Sequence, residues 1–424
     1  MSSSDSLLDE LAWRGLLYQY TDGLRESLAT APVSAYCGFD PTAASLHVGH
    51  LVPIMGLVHL QRTGHRPVAL VGGGTGMIGD PSGRTAERQL LTTEVIEANA
   101  LGLRTQLEHF LDFSGAHAAR MRNNAQWLAP LGAVAFMRDV GKHFTVNYML
   151  AKDSVQSRIE GGISYTEFSY MLLQAYDYLE LHRREGVTLQ IGASDQWGNI
   201  TVGIELIRRV TGHEAHALTF PLLTTASGTK FGKSEAGAVW LDPALTSPYR
   251  FYQFWINADD RDVGRFLRYF TLLSREAIEA LDAETAAHPE QRSAQQVLAI
   301  DVTARVHGER AARAAAEVSA LLFGGADVST LSAAALEVLA AEVPFAQLPA
   351  PQDGALDTVD LFVAASLAPS RGAARRLLTQ GGLYVNGRRL SPTDRTLPTT
   401  ELLSGRHLLL RKGARSYALV RVAG

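Results

Sequence analysis

The sequence predicts three parts: a parallel α/β sheet, an all-helical region after it, and a compact basic unit at the C-terminal end. Short apolar runs that alternate with helical periodicity, and that end in polar or Gly-rich loops, predict the sheet. Residues 244–340 are rich in Ala, Leu, Glu and Arg at helical spacing. Residues 356–424 carry 11 Lys and Arg against 4 Asp and Glu, which leaves 28 basic and 39 acidic residues in 1–355.

The N-terminal part alternates helix and strand patterns in an order that suits a parallel sheet. Parallel strands place their ligands at their carboxyl ends, so the loops that follow them are the candidate sites. In chain order we predict a helix or helix pair (5–29), a strand (33–39), a helix (45–60), a strand (67–71), a Gly-rich loop (72–76), a strand (188–192) and a helix (199–210).

Three prolines, Pro344, Pro349 and Pro351, mark residues 343–355 as a linker. The predicted domains are therefore 1–225, the α/β part, 226–342, the helical part, and 356–424, the basic unit. An acidic body with a basic end concentrates phosphate contacts at that end, although basic tails are also often solubilising surface.

Composition restricts the class of protein. A chain of 424 residues with 46% hydrophobic and 19% charged residues is an ordinary globular protein with room for two or three domains. Its apolar runs fall far short of the roughly 18 residues of a membrane span, and the N-terminus lacks the pattern of a signal or transit peptide. A single cysteine, Cys37, excludes an internal disulfide and favours a cytoplasmic location.

The first motif follows the predicted strand 33–39, where Thr42, His47 and His50 lead into a helix. Positions three apart share a helix face, and a helix start attracts phosphate, so these side chains can donate to one polyphosphate. Gly49 leaves room for an adenine or ribose against the backbone. Two histidines at this spacing are also common as surface or core residues, and a zinc site would need two further ligands.

The second motif is Lys230-Phe231-Gly232-Lys233-Ser234, which lies between Gly228 and Gly237. Two lysines on a loop of small residues suit a mobile clamp on the negative charge that develops on a leaving pyrophosphate. A solvated surface loop is the alternative for such a pair.

The third motif, which starts at Gly74, contains the pattern G-x-G-x-x-G after an apolar strand and so raises the possibility of a dinucleotide site. Asp80-Pro81 interrupts the helix that such a site requires. Arg84 and Arg88, four residues apart, suit a phosphate better than a ribose.

Two polar clusters interrupt apolar surroundings. Tyr170, Gln174 and Asp177 share one helix face, and residues 190–196 place polar groups at the end of a strand. Each cluster is either part of a site or simply a solvent face.

Together and in this order, the motifs resemble those of class I aminoacyl-tRNA synthetases. His47-Val48-Gly49-His50 matches the first signature of that family, with Val in place of the commoner Ile. Residues 230–234 match the second, with Phe and Gly in place of Met and Ser. Residues 36–42, 79–83, 170–177 and 194–199 are similar to the bacterial-type tyrosyl enzymes of the family, over essentially the whole chain.

The resemblance implies a Rossmann-like catalytic domain at 1–225, a lysine loop and helical anticodon-side domain at 226–342, and a small α+β RNA-binding domain at 356–424. The implied substrates are L-tyrosine, ATP with Mg²⁺, and tRNA(Tyr), with no protein-bound metal or organic cofactor, and a homodimer is implied as well. Tyr36 and Asp177 would bind the phenol hydroxyl and Asp80, Tyr170 and Gln174 the amino group, with Gln196 also in the tyrosine site.

The same resemblance assigns the remaining site residues. The catalytic set around the departing phosphates is Thr42, His47, His50, Arg84, Arg88, Lys230 and Lys233. The ATP set adds Cys37, Gly38, Asp40, Gly49, Gly192, Asp195 and Ser234. The implied RNA-binding residues are Arg371, Arg375, Arg376 and Arg388.

Three rival functions remain. A tryptophanyl enzyme is the nearest, but Tyr36 and Asp177 suit a hydroxyl. A nicotinamide-dependent oxidoreductase would use the glycine run and leave the histidines and lysines without a role. A non-catalytic RNA binder or an RNA-modifying enzyme would depend on the basic unit and would show no amino-acid-dependent pyrophosphate exchange.

Overall fold

The computed structural model describes residues 6–82, 90–226, 228, 231–234, 237–351 and 354–423. Arg84, Arg88 and Lys230 lie outside these described residues. Among the described residues, no helix has both the length and the apolar character that a bilayer span requires.

The helices of the described residues are α1 Leu7–Arg14, α2 Leu24–Thr30, α3 Leu51–Arg62, α4 Thr93–Leu107, α5 Ala125–Leu128, α6 Ala133–Asp139, α7 Val146–Leu150, α8 Asp153–Ile159, α9 Tyr165–Glu185, α10 Trp197–Thr211, α11 Pro248–Ile256, α12 Asp260–Phe270, α13 Arg275–Ala287, α14 Ser293–His307, α15 Glu309–Gly324, α16 Ala333–Glu342, α17 Thr358–Ala364 and α18 Arg371–Thr379.

The strands of the described residues are β1 Gln19–Tyr20, β2 Ser34–Phe39, β3 Arg66–Val71, β4 Arg120–Asn123, β5 Val187–Ala193, β6 His216–Phe220, β7 Lys233–Ser234, β8 Gly237–Ala238, β9 Phe345–Leu348, β10 Ala355–Asp357, β11 Leu383–Val385, β12 Arg388–Arg389, β13 Thr396–Pro398, β14 His407–Lys412 and β15 Ser416–Val422.

The chain divides into two compact units, and the first contains Met1–Thr246 and Asn257–Leu298. Its sheet has the strand order β1-β6-β5-β2-β3-β4, and every pairing is parallel except that of the short β1 with β6. The chain runs from β2 through β3 to β4 on one side and later continues with β5 and β6 on the other. The strand order therefore reverses between β2 and β5, which is where open parallel sheets bind their ligands.

One core of this unit lies between the sheet and helices α9 and α10. Buried side chains of β2 and β3 pack with those of the two helices, Tyr178 of α9 and Leu206 of α10 among them. The two helices can approach closely because Gly203 has no side chain: a Cβ there would lie 2.8 Å from the Tyr178 ring. This packing holds α9 against one face of the sheet.

The second unit contains Ser247–Ile256 and Ala299–Gly424. Helices α11, α15 and α16 pack together in it. A sheet of order β12-β11-β14-β15-β9 is antiparallel except for the parallel pair β15 and β9, and β10 pairs with β13. Helices α17 and α18 cover one face of this sheet around Phe362, Leu408 and Val420.

The predicted fold class is confirmed: a parallel-sheet unit, helices after it, and a C-terminal sheet with two helices. The predicted strands 33–39, 67–71 and 188–192 correspond to β2, β3 and β5 within one or two residues. The helix predicted from residue 45 starts later, since residues up to His47 are irregular and a 3₁₀ turn, Val48–His50, leads into α3. The predicted linker 343–355 includes β9, and the domain boundaries remain predictions.

Candidate active site

A cavity of about 330 Å³ opens at the carboxyl ends of the parallel strands in the first unit. It is lined by every site residue of the sequence prediction whose side chain the structure describes, apart from the four arginines assigned to RNA. These lining residues are Tyr36, Cys37, Gly38, Asp40, Thr42, His47, Gly49, His50, Asp80, Tyr170, Gln174, Asp177, Gly192, Asp195 and Gln196.

The two signature motifs, about 180 residues apart in the sequence, are neighbours in the structure. The Val48 amide donates to the Val239 carbonyl at 3.0 Å, and the Val239 amide donates to the Gly232 carbonyl at 3.1 Å. A Cβ on Gly232 would lie 2.9 Å from the Val48 side chain. Phe231, which precedes Gly232, lines the cavity, and the backbone of Lys233 and Ser234 forms β7. The second motif therefore adjoins the helix start of the first.

Hydrogen bonds within the first motif orient both of its histidines. The Gly49 amide donates to Nδ1 of His47 at 3.0 Å, and the His47 amide donates to Nδ1 of His50 at 3.1 Å. Because both Nδ1 atoms accept, each neutral ring carries its proton on Nε2. The ring centroids are 4.0 Å apart. The two imidazoles thus form a pair of donors beside the cavity.

The closed end of the cavity contains Tyr36 and Asp177, which are only 1% and 2% exposed. The Tyr36 hydroxyl has no hydrogen-bond partner among the described residues. Asp177 accepts from Nε1 of Trp127 at 2.7 Å and from Nδ2 of Asn124 at 2.9 Å. This end of the site therefore offers an unpartnered hydroxyl next to an oriented carboxyl group.

Burial determines how these two groups ionise. Removal from water raises the pKa of Asp177 to about 8, against the opposing effect of the two donors, and the charge of Asp40 adds to the rise. Burial also raises the pKa of Tyr36 well above its usual value, and the charge of Asp177 raises it further. The Tyr36 hydroxyl therefore stays protonated and can both donate and accept.

Polar side chains surround the middle of the cavity. The Tyr170 hydroxyl donates to Asp40 at 2.8 Å, and Nε2 of Gln196 donates to Asp80 at 2.7 Å. Burial, followed by the charges of Asp40 and Asp80, raises the pKa of Tyr170 well above its usual value. Gln174 lies beside Gln196, with 3.4 Å between their amides. Two carboxyl groups, those of Asp40 and Asp80, face this space, which suits a cation.

The helix face predicted from the spacing of Tyr170, Gln174 and Asp177 is confirmed, because all three lie on α9 and are buried. The alternative of a solvent-facing stripe is wrong for this helix. The glycine run after β3 enters a short 3₁₀ turn, Thr75–Met77, instead of the long helix of a dinucleotide site.

Sequence reasoning missed several residues of the site: Thr75, Asn124, Trp127 and Asn199. Asn124 and Trp127 follow β4, an edge strand with the sequence Arg-Met-Arg-Asn, which has no apolar pattern to announce it. Asn199 donates to Gln174 at 3.1 Å from the first turn of α10. The signal that could have found them is their position after a strand. For Asn124 and Trp127 this signal is missing, because the sequence of β4 does not look like a strand.

Family models match most of the chain. The model of class I tRNA synthetases for tryptophan and tyrosine matches residues 28–324. A second model, the SYY-like C-terminal domain of tyrosine--tRNA ligase, matches residues 335–420.

Relatives with known names match over nearly the full chain. The tyrosine--tRNA ligase of Anaeromyxobacter dehalogenans (strain 2CP-1) is 56% identical over 98% of this chain and 99% of its own length. That of Geobacillus stearothermophilus is 53% identical over 98% of this chain and 100% of its own length.

Among solved structures, the C-terminally truncated mitochondrial tyrosyl-tRNA synthetase of Aspergillus nidulans matches with a TM-score of 0.69 and 30% identity. The match covers 76% of this chain and 95% of that one. The chain therefore belongs to the class I tRNA synthetases of the tryptophan and tyrosine group, and within that group to the tyrosine--tRNA ligases.

Proposed function

We propose that the cavity binds L-tyrosine and ATP side by side, so that the chain forms tyrosyl-adenylate there and then transfers the tyrosyl group to tRNA(Tyr). The observation that carries this assignment is the pair of buried groups at the closed end of the cavity. The Tyr36 hydroxyl lacks a protein partner among the described residues, and Asp177 is held by two donors. A phenol hydroxyl placed between them accepts from one group and donates to the other.

This pair also explains a choice of tyrosine over phenylalanine. A phenylalanine ring would leave the Tyr36 hydroxyl without a partner and would add nothing to the two donors of Asp177, and an unsatisfied buried polar group costs about 1–3 kcal/mol. An indole is larger and presents one N–H in place of a hydroxyl, so it satisfies the pair less well.

The amino group of tyrosine fits the acidic middle of the cavity. Asp80, Tyr170 and Gln174 would accept from the ammonium group, and Gln196 holds Asp80 in place. The substrate carboxylate then points towards the strand ends and the helix start. One of its oxygens bonds to the α-phosphorus of ATP as the bond from that phosphorus to the pyrophosphate oxygen breaks. In the second step a ribose hydroxyl of the tRNA attacks the carbonyl carbon, and AMP leaves.

ATP would occupy the part of the cavity nearest to the two signature motifs. Cys37, Gly38, Asp40, Gly49, Gly192 and Asp195 surround the space for the adenine and ribose. Thr42, His47 and His50 face the space for the phosphates. The proposed phosphate contacts further include Arg84, Arg88, Lys230, Lys233 and Ser234.

Mg²⁺ would arrive with ATP, bound to its phosphates. Among the described residues, no three His, Cys, Asp or Glu side chains are arranged to hold a metal ion. A magnesium ion that keeps phosphate and water ligands needs no such group.

Positioning and charge account for the catalysis that we propose. The attacking carboxylate is already ionised at neutral pH, so the first step needs no general base. Holding two substrates in reacting geometry removes much of the entropic barrier, and cationic donors stabilise the charge that develops on the pyrophosphate.

The basic unit would bind the tRNA, and its arginines differ in availability. Arg371 pairs with Asp360 at 2.7 Å, and Arg388 pairs with Glu401 at 3.1 Å. Arg375 and Arg376 on α18 are exposed and have no ion pair among the described residues. Phosphate contacts on this helix therefore depend mainly on Arg375 and Arg376.

We infer a homodimer from exposed apolar side chains between α6 and the start of α9. Large exposed apolar groups that form one patch mark interaction surfaces, and most oligomers of one chain are twofold symmetric. The exposed side chains of this segment are Val134, Met137, Val146, Ile159 and Tyr165. A cytoplasmic location, where ATP and tRNA are available, and the three predicted domains with their linker belong to the same proposal.

ATP–pyrophosphate exchange with each of the twenty amino acids tests the proposed function. We expect exchange with tyrosine and little with phenylalanine or tryptophan.

Tyr36→Phe should lower kcat/KM for tyrosine about tenfold and narrow the preference for tyrosine over phenylalanine, because it removes one buried partner of the phenol hydroxyl. Tyr178→Phe is the control, since it also removes a buried hydroxyl, one bonded to the His216 carbonyl at 2.8 Å. Equal effects of the two changes on the preference would contradict the assignment.

The pKa of Asp177 predicts how the stability of the ligand-free protein changes with pH. A carboxyl group with a pKa of 3.8 when unfolded and about 8 when folded favours the folded state at low pH, and that contribution is lost as the pH rises through 8. Asp177→Asn does not ionise. The stability of this variant relative to the unchanged protein should therefore rise from pH 5 to 8, by up to about 1.4 kcal/mol of unfolding free energy per pH unit. Melting temperatures measured across this pH range check the rise.

Asp112→Asn is the control for this pH series. Its neighbour Ser114 lowers the pKa of Asp112, so this group stays ionised from pH 5 upwards and the difference in melting temperature should stay constant. A constant difference for Asp177→Asn as well would show that Asp177 is ionised in the folded protein throughout.

Removal of the two available arginines of α18 tests the RNA assignment. Arg375→Ala combined with Arg376→Ala should raise KM for tRNA. The slope of log affinity against log salt concentration should become shallower by about two, because two phosphate contacts are lost. Tyrosine-dependent exchange should not change. Arg25→Ala combined with Arg104→Ala removes the same charge from the first unit and should leave tRNA binding as it was. Equal losses in the two double variants would refute a specific role for α18.

A charge placed in the exposed apolar segment tests the homodimer. Val134→Asp should shift the protein from dimer to monomer in sedimentation experiments at micromolar concentration, because burying an unpaired carboxylate is costly. Leu101→Asp, at a position 66% exposed on α4, should leave the dimer intact. A monomeric unchanged protein would rule the proposal out.

A further inference from the structure

Thr75 lies between the two ends of the cavity, at the start of the 3₁₀ turn that follows β3. It is 2% exposed and lines the cavity, and none of the sequence motifs assigns it a role. Its hydroxyl donates to Oδ1 of Asp40 at 2.7 Å and accepts from Nδ2 of Asn124 at 2.8 Å. Both partners are themselves bonded to groups at opposite ends of the tyrosine site.

The direction of these hydrogen bonds is fixed. The Gly74 amide donates to Oδ1 of Asn124 at 2.7 Å, which identifies the oxygen of that side chain. The amide nitrogen of Asn124 therefore faces Thr75 and Asp177 and donates to both. Since the Thr75 oxygen accepts from Asn124, its own proton goes to the Asp40 carboxylate. A side chain in this position must both donate and accept.

The chain of bonds spans the whole tyrosine site. At one end the Tyr170 hydroxyl donates to Oδ2 of Asp40, and at the other Trp127 donates to Asp177. Thr75 and Asn124 are the links between these ends, and both are almost fully buried. Two carboxyl groups in one cavity repel each other when ionised, so the donors between them hold their separation.

The backbone packs directly onto this link. A Cβ on Gly72 would lie 2.5 Å from the Thr75 oxygen and still closer to Asp40. Glycine at position 72 lets the loop after β3 lie directly against the Thr75 hydroxyl. The position of that hydroxyl relative to Asp40 is therefore set by the main chain.

We propose that Thr75 is a positioning residue for tyrosine: its hydroxyl fixes the distance between Tyr170, which Asp40 holds and which binds the ammonium group, and the Asp177 carboxyl group that binds the phenol. This inference rests on the proposed placement of tyrosine between Tyr36, Asp177 and Tyr170. Thr75 acts through Asp40 and Asn124, and a substrate whose two ends match the fixed separation gains both sets of contacts together.

Two variants of the full-length protein separate the hydroxyl from its surroundings. Thr75→Val replaces the hydroxyl by a methyl group and should raise KM for tyrosine in pyrophosphate exchange about tenfold or more, with a narrower preference for tyrosine over phenylalanine. Thr75→Ser keeps the hydroxyl and should stay within about twofold of the unchanged protein in both measures. The circular-dichroism spectrum should be the same in all three, which distinguishes a local effect from a general loss of structure.

A double variant tests the connection itself. Once Asn124→Ala has broken the chain of bonds, adding Thr75→Val should raise KM for tyrosine much less than it does alone. Thr75→Ala should repeat the pattern if the valine variant is poorly folded. Equal effects of Thr75→Val and Thr75→Ser, or additive effects with Asn124→Ala, would overturn the inference. Absence of tyrosine-dependent exchange in the unchanged protein would instead refute the proposed function.

Discussion

The reversal of strand order between β2 and β5 is the constraint on which the site depends. Both strands run in the same direction, and β2 pairs with β3 on one side and β5 on the other. The chain leaves these strands at one edge of the sheet and turns away to opposite sides, which opens a crevice between the departing loops. The loop after β2 leads to the two histidines, and the loop after β5 leads to Gln196. Residues distant in the sequence meet there because the loops that carry them start at the same edge of the sheet.

Placing three carboxyl groups around that crevice costs free energy, and hydrogen bonds offset much of the cost. Asp177 receives two donors, Asp80 receives the Gln196 amide, and Asp40 receives two hydroxyls. Burial still raises the pKa of Asp177 to about 8, so the donors reduce the cost without removing it. A ligand with an ammonium group and a hydroxyl supplies what the protein lacks. The site is therefore less stable without its ligand than with it. In the ligand-free protein, the amide and hydroxyl side chains around the carboxyl groups keep the geometry of the site.

The sequence predicted most of the residues that line the cavity because the motif residues lie where strands end. β2, β3 and β5 are apolar runs, so the polar residues after them could be recognised, and the cavity brings them together. Asn124 and Trp127 could not be found this way, since β4 is a half-exposed edge strand whose pattern resembles a loop. The start of α3 was also misplaced, because the hydrogen bonds of His47 and His50 delay the helix and no periodicity reports them. Patterns of hydrophobicity locate the sheet, whereas the partners of a buried polar group depend on packing between distant segments.

The charge distribution illustrates a second limit of counting residues. Residues 356–424 have a surplus of 7 basic groups, 11 against 4, which from sequence makes every arginine there an equal candidate for RNA. In the structure, the four acidic residues of this segment neutralise Arg371 and Arg388 in ion pairs, while Arg375 and Arg376 on the same helix as Arg371 have none among the described residues. An arginine already paired must give up a carboxylate before it gains a phosphate, so its net contribution to RNA affinity is smaller. The pairs of Arg371 join α17 to the start of α18, so these acidic residues serve the fold of the unit, and contact with phosphate depends on the basic side chains outside the pairs.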